Sequence, residues 1–210
     1  MKSYVLIGGI GSGKSTVSRM LQQRGFACID LDEIGHGLLG QVFVQLRLAQ
    51  IFGVDIVKDG KVDRALLASR AFASQDALQQ LNAIMHPCIA ETALKLLDDL
   101  EHSGCPLAFV EISAFTGPGG PLNSILDECE GIVAITAPQS VRLARAVQKG
   151  FSEEDVSARM ARQPSDALRL DWADYSISNA GSLASLERQI DELLPILLEG
   201  HYGAAVEKGF

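Results

Sequence analysis

Short apolar runs bounded by turn residues alternate along this chain with stretches whose apolar residues recur at helical spacing. Five runs suit buried strands, at residues 4–7, 26–29, 107–110, 131–135 and 174–179. Helical spacing follows the first run, through Val17, Met20 and Leu21 to Gly25, and again after Ser182. Strands that alternate with helices form a parallel sheet covered by helices on both faces, so the pattern predicts an α/β fold.

Residues 33–90 interrupt this alternation with helical and loop material. The strand-like run around 54–57 ends at the turn signal Asp59-Gly60. Asp63 and Ser74 are predicted to cap two helices, and Pro87 is predicted to begin a third that ends at Gly104. We therefore interpret this region as an insertion into the α/β core. The later segment 116–121, rich in glycine and proline, is predicted to be the most turn-rich part of the chain.

A glycine-rich motif follows the first strand-like run directly. Residues 8–15 match the pattern G-x-x-x-x-G-K-[ST], whose backbone N–H groups wrap around a triphosphate at the start of a helix. ATP or GTP is therefore the implied ligand, with Lys14 reaching the β- and γ-phosphates and the Ser15 hydroxyl holding Mg²⁺. The predicted nucleotide-binding residues are Gly9, Gly11, Ser12, Gly13, Lys14, Ser15 and Thr16.

The glycine-rich stretch has two other interpretations. It could be a turn with an ordinary surface lysine, although the flanking strand and helix favour the phosphate loop. A dinucleotide-binding G-x-G-x-x-G does not fit, because its third glycine would fall on Lys14 or on Thr16.

Asp30 and Asp32 follow the second strand-like run. They are two residues apart on a strand, so their side chains are expected to point the same way, at the edge of the sheet where ligands bind. One could then bind Mg²⁺ through water while the other accepts a proton from a substrate hydroxyl. The alternative for Asp32 is an N-cap of the next helix.

The formal net charge of −8 and a pI near 5.0 argue against a nucleic-acid or anionic-membrane partner. Five cations nevertheless concentrate within 21 residues, where they suit a lid that closes over phosphates or a solvated helix face. They are Arg142, Arg145, Lys149, Arg159 and Arg162. Within this segment Ser152 is predicted to start a helix that Pro164 ends.

The 210 residues are enough for one compact unit with a well-buried core. Four widely spaced cysteines indicate neither a zinc site nor a disulfide framework, and we interpret them as small buried hydrophobes. The chain enters its first strand at once and has no apolar run near 18 residues, so we expect no cleavable signal, no membrane span and a cytoplasmic location. Oligomeric state is not indicated.

The motifs together resemble, over nearly the whole length, the dephospho-coenzyme A kinase family, a branch of the nucleoside monophosphate kinase type of P-loop fold. The matching segments are residues 8–16, 29–36, 52–64, 81–87, 152–163 and 173–179. The resemblance implies a P-loop NTPase three-layer sandwich around a five-stranded parallel sheet. It also implies a core at about 1–32, 104–141 and 164–200, an acceptor-binding helical region at about 33–90, and a lid at about 142–163.

The same resemblance implies the reaction and the roles of individual residues. The expected activity is phosphorylation of the ribose 3′-hydroxyl of dephospho-coenzyme A, with ATP and Mg²⁺ and without nucleic-acid or membrane partners. Asp32 is the implied base, although the residues themselves leave open which of Asp30 and Asp32 has that role. The remaining roles are Lys14 and Arg145 in catalysis, Asn179 in nucleotide binding, Ser15 and Asp30 at the metal, and Asp32, His36, Arg64 and His86 in acceptor binding. A buried structural histidine before a proline is the other interpretation of His86.

The chain departs from the family pattern in two places. Where the family has Pro-Leu-Leu-x-Glu after the third core strand, residues 113–117 read Ser-Ala-Phe-Thr-Gly. In the lid the family has two arginines four apart followed by Asp-Gly, and Arg145 and Lys149 align with them only when one residue is deleted before Gly150. Lysine lacks the planar two-pronged contact that arginine makes with phosphate. A related kinase with another acceptor and an ATP-binding protein without transfer activity are therefore the alternative hypotheses.

Overall fold

The computed structural model describes residues 1–199, which fall into two compact units. One unit contains residues 1–29 and 97–199, and the other contains residues 30–96. The strands are β1 Lys2–Ile7, β2 Ala27–Asp30, β3 Val57–Lys58, β4 Lys61–Val62, β5 Leu107–Glu111, β6 Gly131–Thr136 and β7 Tyr175–Ser178. The helices are α1 Lys14–Gln23, α2 Leu31–Leu38, α3 Val42–Phe52, α4 Arg64–Ala71, α5 Gln75–His102, α6 Asn123–Asp127, α7 Gln139–Gln148, α8 Glu153–Arg162, α9 Asp166–Trp172 and α10 Leu183–Glu199.

The first unit is built on a five-stranded sheet in the order β2-β5-β1-β6-β7. β1 pairs in parallel with β5 and with β6, and β6 pairs in parallel with β7. β1 is buried over most of its length, as expected for the central strand of a sheet with helices on both faces. The predicted α/β fold, with its five parallel strands, is confirmed.

The core of the first unit joins apolar side chains of the sheet to those of the helices α1 and α10. Tyr4 of β1 and Phe109 of β5 are both essentially inaccessible to solvent. The remaining buried members include Leu6, Val17, Leu21, Val133, Ile135, Ile177, Leu186 and Ile190. This packing fixes β1 and α1, and therefore also the loop that connects them.

Local signals in the sequence mark several element ends correctly. The hydroxyls of Ser152 and Ser182 accept hydrogen bonds from Asp155 N and Ser185 N, at the starts of α8 and α10. Gly25 and Gly104, with φ of 86° and 80°, follow α1 and α5. The predicted N-caps and helix ends are confirmed at these positions.

The turn-rich segment after β5 is anchored by aromatic contacts. Phe115 is buried and meets the Trp172 ring edge-on, with the ring centroids 5.6 Å apart. Gly117 has φ of 116°, and a Cβ there would lie 2.9 Å from the indole of Trp172. Glycine is therefore required at 117 both by the backbone conformation and by the indole packed against it.

The second unit consists of α2 to α4, most of α5, and a hairpin of β3 and β4. The hairpin turns at Asp59 and Gly60, whose φ angles of 50° and 70° are both positive, as a type I′ turn requires. Asp63 accepts a hydrogen bond from Leu66 N, and the hydroxyl of Ser74 accepts one from Ala77 N, so both predicted caps are confirmed. The residues just before β3, Val54–Ile56, form a 3₁₀ turn rather than a strand.

Two further sequence-based expectations about this unit are wrong. Pro87 does not begin a helix, because α5 runs without interruption through it. Ile84, Met85 and Cys88, on either side of this proline, are buried in one apolar cluster, and this packing outweighs the backbone hydrogen bond that a proline removes. Asp30 and Asp32 do not share a strand face either, because β2 ends at Asp30 and α2 begins at Leu31.

Candidate nucleotide-binding site

The glycine-rich loop connects β1 to α1, as its motif predicts. Gly11 and Gly13 have φ angles of 75° and 98°, and Gly13 is the N-cap residue of α1. The Gly13 carbonyl accepts hydrogen bonds from Thr16 N and Val17 N, which starts the helix. Lys14 is only 8% exposed, and its Nζ donates to the Gly8 carbonyl at 3.0 Å, so the ammonium lies inside the curve of the loop.

A buried carboxylate that the sequence analysis overlooked lies next to the loop. Glu111, the last residue of β5, is 4% exposed and accepts hydrogen bonds from Ser15 Oγ at 3.3 Å and Ser18 Oγ at 2.7 Å. The predicted strand stopped one residue short of it. An acidic residue at the carboxyl end of the strand beside β1 was the available signal, because ligands bind at that edge of the sheet.

Cys28 is close to the same group of side chains. Its Sγ donates to the Ser18 carbonyl at 3.3 Å. Burial raises the pKa of the Cys28 thiol to about 12, and the negative charge of Glu111 adds to the effect. The thiol therefore stays protonated at neutral pH and acts as a hydrogen-bond donor within the core.

The loop glycines are crowded by protein groups from later in the chain. A Cβ on Gly13 would overlap Asn179 Nδ2, and a Cβ on Gly11 would overlap the Arg142 carbonyl. A Cβ on Gly9 would overlap Arg142 Nη1 and lie 3.2 Å from Arg169 Nη1. Gly11 and Gly13 require glycine because their φ angles are positive and other parts of the protein pack on them, whereas at Gly9 only the ends of flexible arginine side chains would have to shift.

Asn179 is 5% exposed and donates through Nδ2 to the Ser12 carbonyl at 2.8 Å. This contact brings the end of β7 to the loop. Arg145 Nη2 lies 3.4 Å from Asn179 Oδ1, while Arg145 Nη1 is buried without a hydrogen-bond partner in the described part of the chain. Ser12 Oγ is the other such atom between residues 1 and 199. Two polar atoms without partners beside a phosphate loop fit a site that a ligand completes.

The predicted cation cluster divides between buried and exposed positions. Arg142 is 8% exposed and donates to the Ala137 carbonyl, whereas Lys149, Arg159 and Arg162 are exposed. The Arg159 guanidinium lies 5.5 Å from the Phe151 ring centroid, a cation–π contact. The charges therefore do not form one continuous surface.

The predicted acceptor-binding residues belong to the second unit. His36 Nε2 lies 2.7 Å from Arg64 Nη2, so the structure brings these two together. Since the guanidinium donates, His36 accepts through Nε2. His86 is half-buried in α5, and burial lowers its pKa.

Asp30 caps α2, and Asp32 is in the first turn of that helix. Asp30 Oδ1 accepts hydrogen bonds from Asp32 N at 2.8 Å and Glu33 N at 3.3 Å. The sequence offered Asp32 as an N-cap of this helix, but in the structure the N-cap is Asp30. The roles predicted for Asp30 at the metal and for Asp32 as the base stay predictions.

The residues around the loop suit Mg²⁺, which prefers hard oxygen ligands. Ser15 and Glu111 supply hydroxyl and carboxylate oxygens next to each other. Within residues 1–199 no three His, Cys, Asp or Glu side chains form a metal-holding cluster. Mg²⁺ commonly takes one or two protein ligands and completes its shell with water and phosphate, so this donor set fits.

Within residues 1–199, no helix combines the length and apolar character needed to cross a bilayer.

A family model described as dephospho-CoA kinase matches residues 4–185. The dephospho-CoA kinase of Corynebacterium glutamicum is 37% identical over 197 residues, which are 92% of this chain and 96% of the relative. That of Latilactobacillus sakei is 36% identical over 191 residues, with 90% and 92% covered.

The chain is also similar to solved structures. A dephospho-CoA kinase from Campylobacter jejuni aligns with a TM-score of 0.69 at 26% identity, covering 95% of this chain and 98% of that one. A Thermus thermophilus protein, TT1252, aligns with a TM-score of 0.75 at 28% identity, covering 92% and 96%. A shikimate kinase from Acinetobacter baumannii, at 14% identity and a TM-score of 0.52, shares the fold.

Proposed function

The chain belongs to the dephospho-CoA kinase family, and from that premise we propose that it transfers the terminal phosphoryl group of ATP to the ribose 3′-hydroxyl of dephospho-CoA. This is the final step of coenzyme A biosynthesis, and the enzyme is a kinase and a transferase. The observation that carries the proposal is the family match across residues 4–185 on a chain whose phosphate loop holds a buried Lys14.

In the proposed reaction the acceptor 3′-oxygen forms a bond to the γ-phosphorus of ATP. The bond from the γ-phosphorus to the bridging oxygen breaks, and ADP leaves with the electron pair. Asp32 accepts the proton of the hydroxyl, which makes the oxygen a better nucleophile as the new bond forms. Resemblance to the family supports this role for Asp32.

The negative charge that develops during transfer needs fixed positive partners. Lys14 and the backbone N–H groups of the loop supply them, and Lys14 is already held at the Gly8 carbonyl. Arg145 is the second candidate, because its buried Nη1 has no partner within residues 1–199. We propose that this nitrogen hydrogen bonds to a phosphate oxygen in the bound state.

Ser15 and Glu111 are the residues that we propose to hold Mg²⁺, Ser15 through its hydroxyl and Glu111 directly or through water. When bound, Mg²⁺ neutralises charge on the phosphates of ATP. Ser18 Oγ, at 2.7 Å from Glu111, orients the carboxylate. The role predicted for Asp30 at the metal stays part of the proposal, although one of its oxygens caps α2.

The second unit supplies the proposed acceptor-binding residues. Arg64 and His36 form a hydrogen-bonded pair, in which a guanidinium with further donors is available for the phosphates of dephospho-CoA. Burial lowers the pKa of His86, so this residue fits a neutral role better than phosphate binding.

We also propose that the protein acts in the cytoplasm, a compartment consistent with four cysteines that are all free.

The test is an acceptor panel. The purified chain is incubated with Mg-ATP and, separately, with dephospho-CoA, shikimate, gluconate and nucleoside monophosphates, while ADP release is followed and the products are identified by mass spectrometry. We expect ADP release and phosphorylation with dephospho-CoA alone. Faster phosphorylation of another acceptor would replace the proposed substrate, and ATP binding without acceptor-dependent ADP would indicate a protein that has lost transfer activity.

A further inference from the structure

Three side chains from different parts of the chain lie against the turn that opens the phosphate loop, and a fourth, a carboxylate, pairs with two of them. The turn runs from Gly9 to Ser12 and is closed by a hydrogen bond from Ser12 N to the Gly9 carbonyl at 3.0 Å. The four side chains, which we call the loop clamp, are Arg142 of α7, Gln163 at the end of α8, and Asp166 and Arg169 of α9.

Gln163 binds the turn directly. Its Oε1 accepts a hydrogen bond from Ile10 N at 2.9 Å. Gln163 also ends α8, because its backbone is extended at φ −86° and ψ 151° and Pro164 follows. One residue thus ends the segment predicted as a lid and also fixes the first half of the phosphate loop.

The three charged members of the clamp form a cluster beside Gly9, in which the two arginines are buried and Asp166 is partly exposed. Asp166 accepts from Arg169 Nη1 at 2.9 Å and lies 3.4 Å from Arg142 Nη2. Both arginines are at most 8% exposed. Burial lowers the pKa of Arg169, which Asp166 partly offsets. Two guanidiniums share one carboxylate, so the cluster has a surplus positive charge against the loop.

The contacts with Gly9 and Gly11 leave the turn little freedom. Arg142 touches the first glycine with its guanidinium and the second with its backbone carbonyl. Arg142 is itself held by a hydrogen bond from Nε to the Ala137 carbonyl at 3.1 Å. A flexible glycine-rich turn loses conformational entropy when it closes on a ligand, and these contacts restrict the turn before the ligand arrives.

We propose that the loop clamp is a set of positioning residues, which hold the Gly9–Ser12 turn in the conformation that binds the nucleotide phosphates. The proposal rests on the proposed function only in taking ATP as the ligand of the loop. It requires no particular acceptor. The members of the loop clamp act through the loop backbone and are not catalytic residues.

The test measures nucleotide affinity without any acceptor. The dissociation constants of ADP and of inorganic triphosphate are measured by calorimetry for Gln163→Met, Arg142→Met and Arg142→Lys, with Arg188→Met as the control at an exposed arginine of α10. Amide hydrogen exchange at Ile10 and thermal unfolding are measured on each variant. Gln163→Met keeps the length of the side chain and removes only its polar end.

We expect Gln163→Met to raise the dissociation constants of both ligands about 5- to 10-fold, since one hydrogen bond typically contributes about 1 kcal/mol. The same variant should speed amide hydrogen exchange at Ile10. The midpoint of thermal unfolding should stay close to that of Arg188→Met. Arg142→Lys keeps the charge but loses the planar contacts, so it should resemble Arg142→Met in affinity. The loss in the double variant Gln163→Met/Arg142→Met should be smaller than the product of the two single losses, because both act on one turn.

Unchanged affinity in Gln163→Met, with or without faster exchange at Ile10, would overturn the proposal. Wild-type affinity in Arg142→Lys with a loss in Arg142→Met would mean that charge alone matters and would also overturn it. If buried Arg142 cannot be replaced without unfolding, Gln163→Met decides the outcome. Because no acceptor is present, failure of the dephospho-CoA assay together with the expected affinities would reject the proposed acceptor and leave the clamp in place.

Discussion

Replacing Glu111 with glutamine separates a metal-binding role of this carboxylate from a structural one. The side chain is 4% exposed and receives hydrogen bonds from the hydroxyls of Ser15 and Ser18. Glutamine has nearly the same shape and one remaining acceptor oxygen. The substitution therefore removes the negative charge with little change in packing.

The structure sets the expected size of the effects of this substitution on stability and on metal affinity. A hydrogen bond to a charged acceptor is stronger than a neutral one by about 1 kcal/mol, so the two serine bonds lose about 2 kcal/mol in total. A neutral amide is easier to bury than a carboxylate, which offsets this loss. The free energy of unfolding should therefore change by less than about 2 kcal/mol. Loss of a group that binds or orients a metal lowers metal affinity about 10- to 100-fold.

The assay is ADP release with dephospho-CoA at saturating ATP, titrated with Mg²⁺. We expect the concentration of Mg²⁺ at half-maximal rate to rise about 10- to 100-fold in Glu111→Gln. Ser18→Ala keeps the charge and removes the 2.7 Å hydrogen bond that orients it, so it should lower stability by about 2 kcal/mol and shift the Mg²⁺ titration less than Glu111→Gln does. Glu192→Gln, at an exposed position of α10, controls for the loss of one negative charge.

An unchanged Mg²⁺ requirement in Glu111→Gln would refute the reasoning. A fall in stability without any shift in the titration would have the same meaning, because it would show that the carboxylate only organises Ser15 and Ser18. Urea denaturation of each variant, carried out without Mg²⁺, supplies the stability values for this comparison.

Further predictions concern the base, the charge on the loop, the lid segment and alkaline stability. Lys14→Ala should weaken ATP binding and lower turnover, whereas Asp32→Asn should keep ATP affinity and lower kcat about 100-fold or more, measured by calorimetry and steady-state kinetics. Arg145→Ala should lower kcat more than it weakens acceptor binding, and an ATP analogue with acceptor should suppress proteolysis between residues 141 and 163. Burial raises the pKa of Tyr4 and of Cys28 to about 12 each. The unfolded chain releases these protons first, so the free energy of unfolding, measured in urea, should fall as pH rises from about 9 towards 12.

Each of these expectations has an outcome that would contradict it. Equal losses of ATP affinity in Lys14→Ala and Asp32→Asn would make Asp32 a metal or structural residue. Near-normal turnover of Arg145→Ala, together with protease resistance that does not depend on ligand, would show that Arg145 does not act on the transferred phosphoryl group and that the segment does not close over the nucleotide. A fall in alkaline stability that is equally steep in wild type and in Tyr4→Phe would exclude Tyr4 as a source of the effect.

The sequence allowed the local features of the fold to be predicted well. The five core strands, the Asp59-Gly60 turn and the caps at Asp63 and Ser152 depend on residues within a few positions of each other, and they were found where expected. Pro87 was misassigned because burial along α5, which involves distant residues, outweighs a local helix-breaking signal. The Asp30–Asp32 geometry was missed because one residue decides whether a strand continues or a helix begins.

Much of the site depends on contacts between residues far apart in the chain. Glu111 meets Ser15 across 96 positions, and Gln163 meets Ile10 across 153. No periodicity or short motif encodes such contacts. The glycine motif predicted the loop correctly. Phosphate approach alone, however, does not explain the glycine at 13, because Asn179 is packed against this residue.

Trp172 is the only tryptophan in the sequence, and its ring packs edge-on against Phe115 in the segment after β5. Its intrinsic fluorescence therefore arises from a single location, next to the residues where the chain departs from the Pro-Leu-Leu-x-Glu pattern. A shift in emission upon mixing with dephospho-CoA would follow rearrangement of this segment in real time, without any label. Stopped-flow recording of this signal would time the acceptor step separately from ADP release, using a fluorophore that the protein already contains.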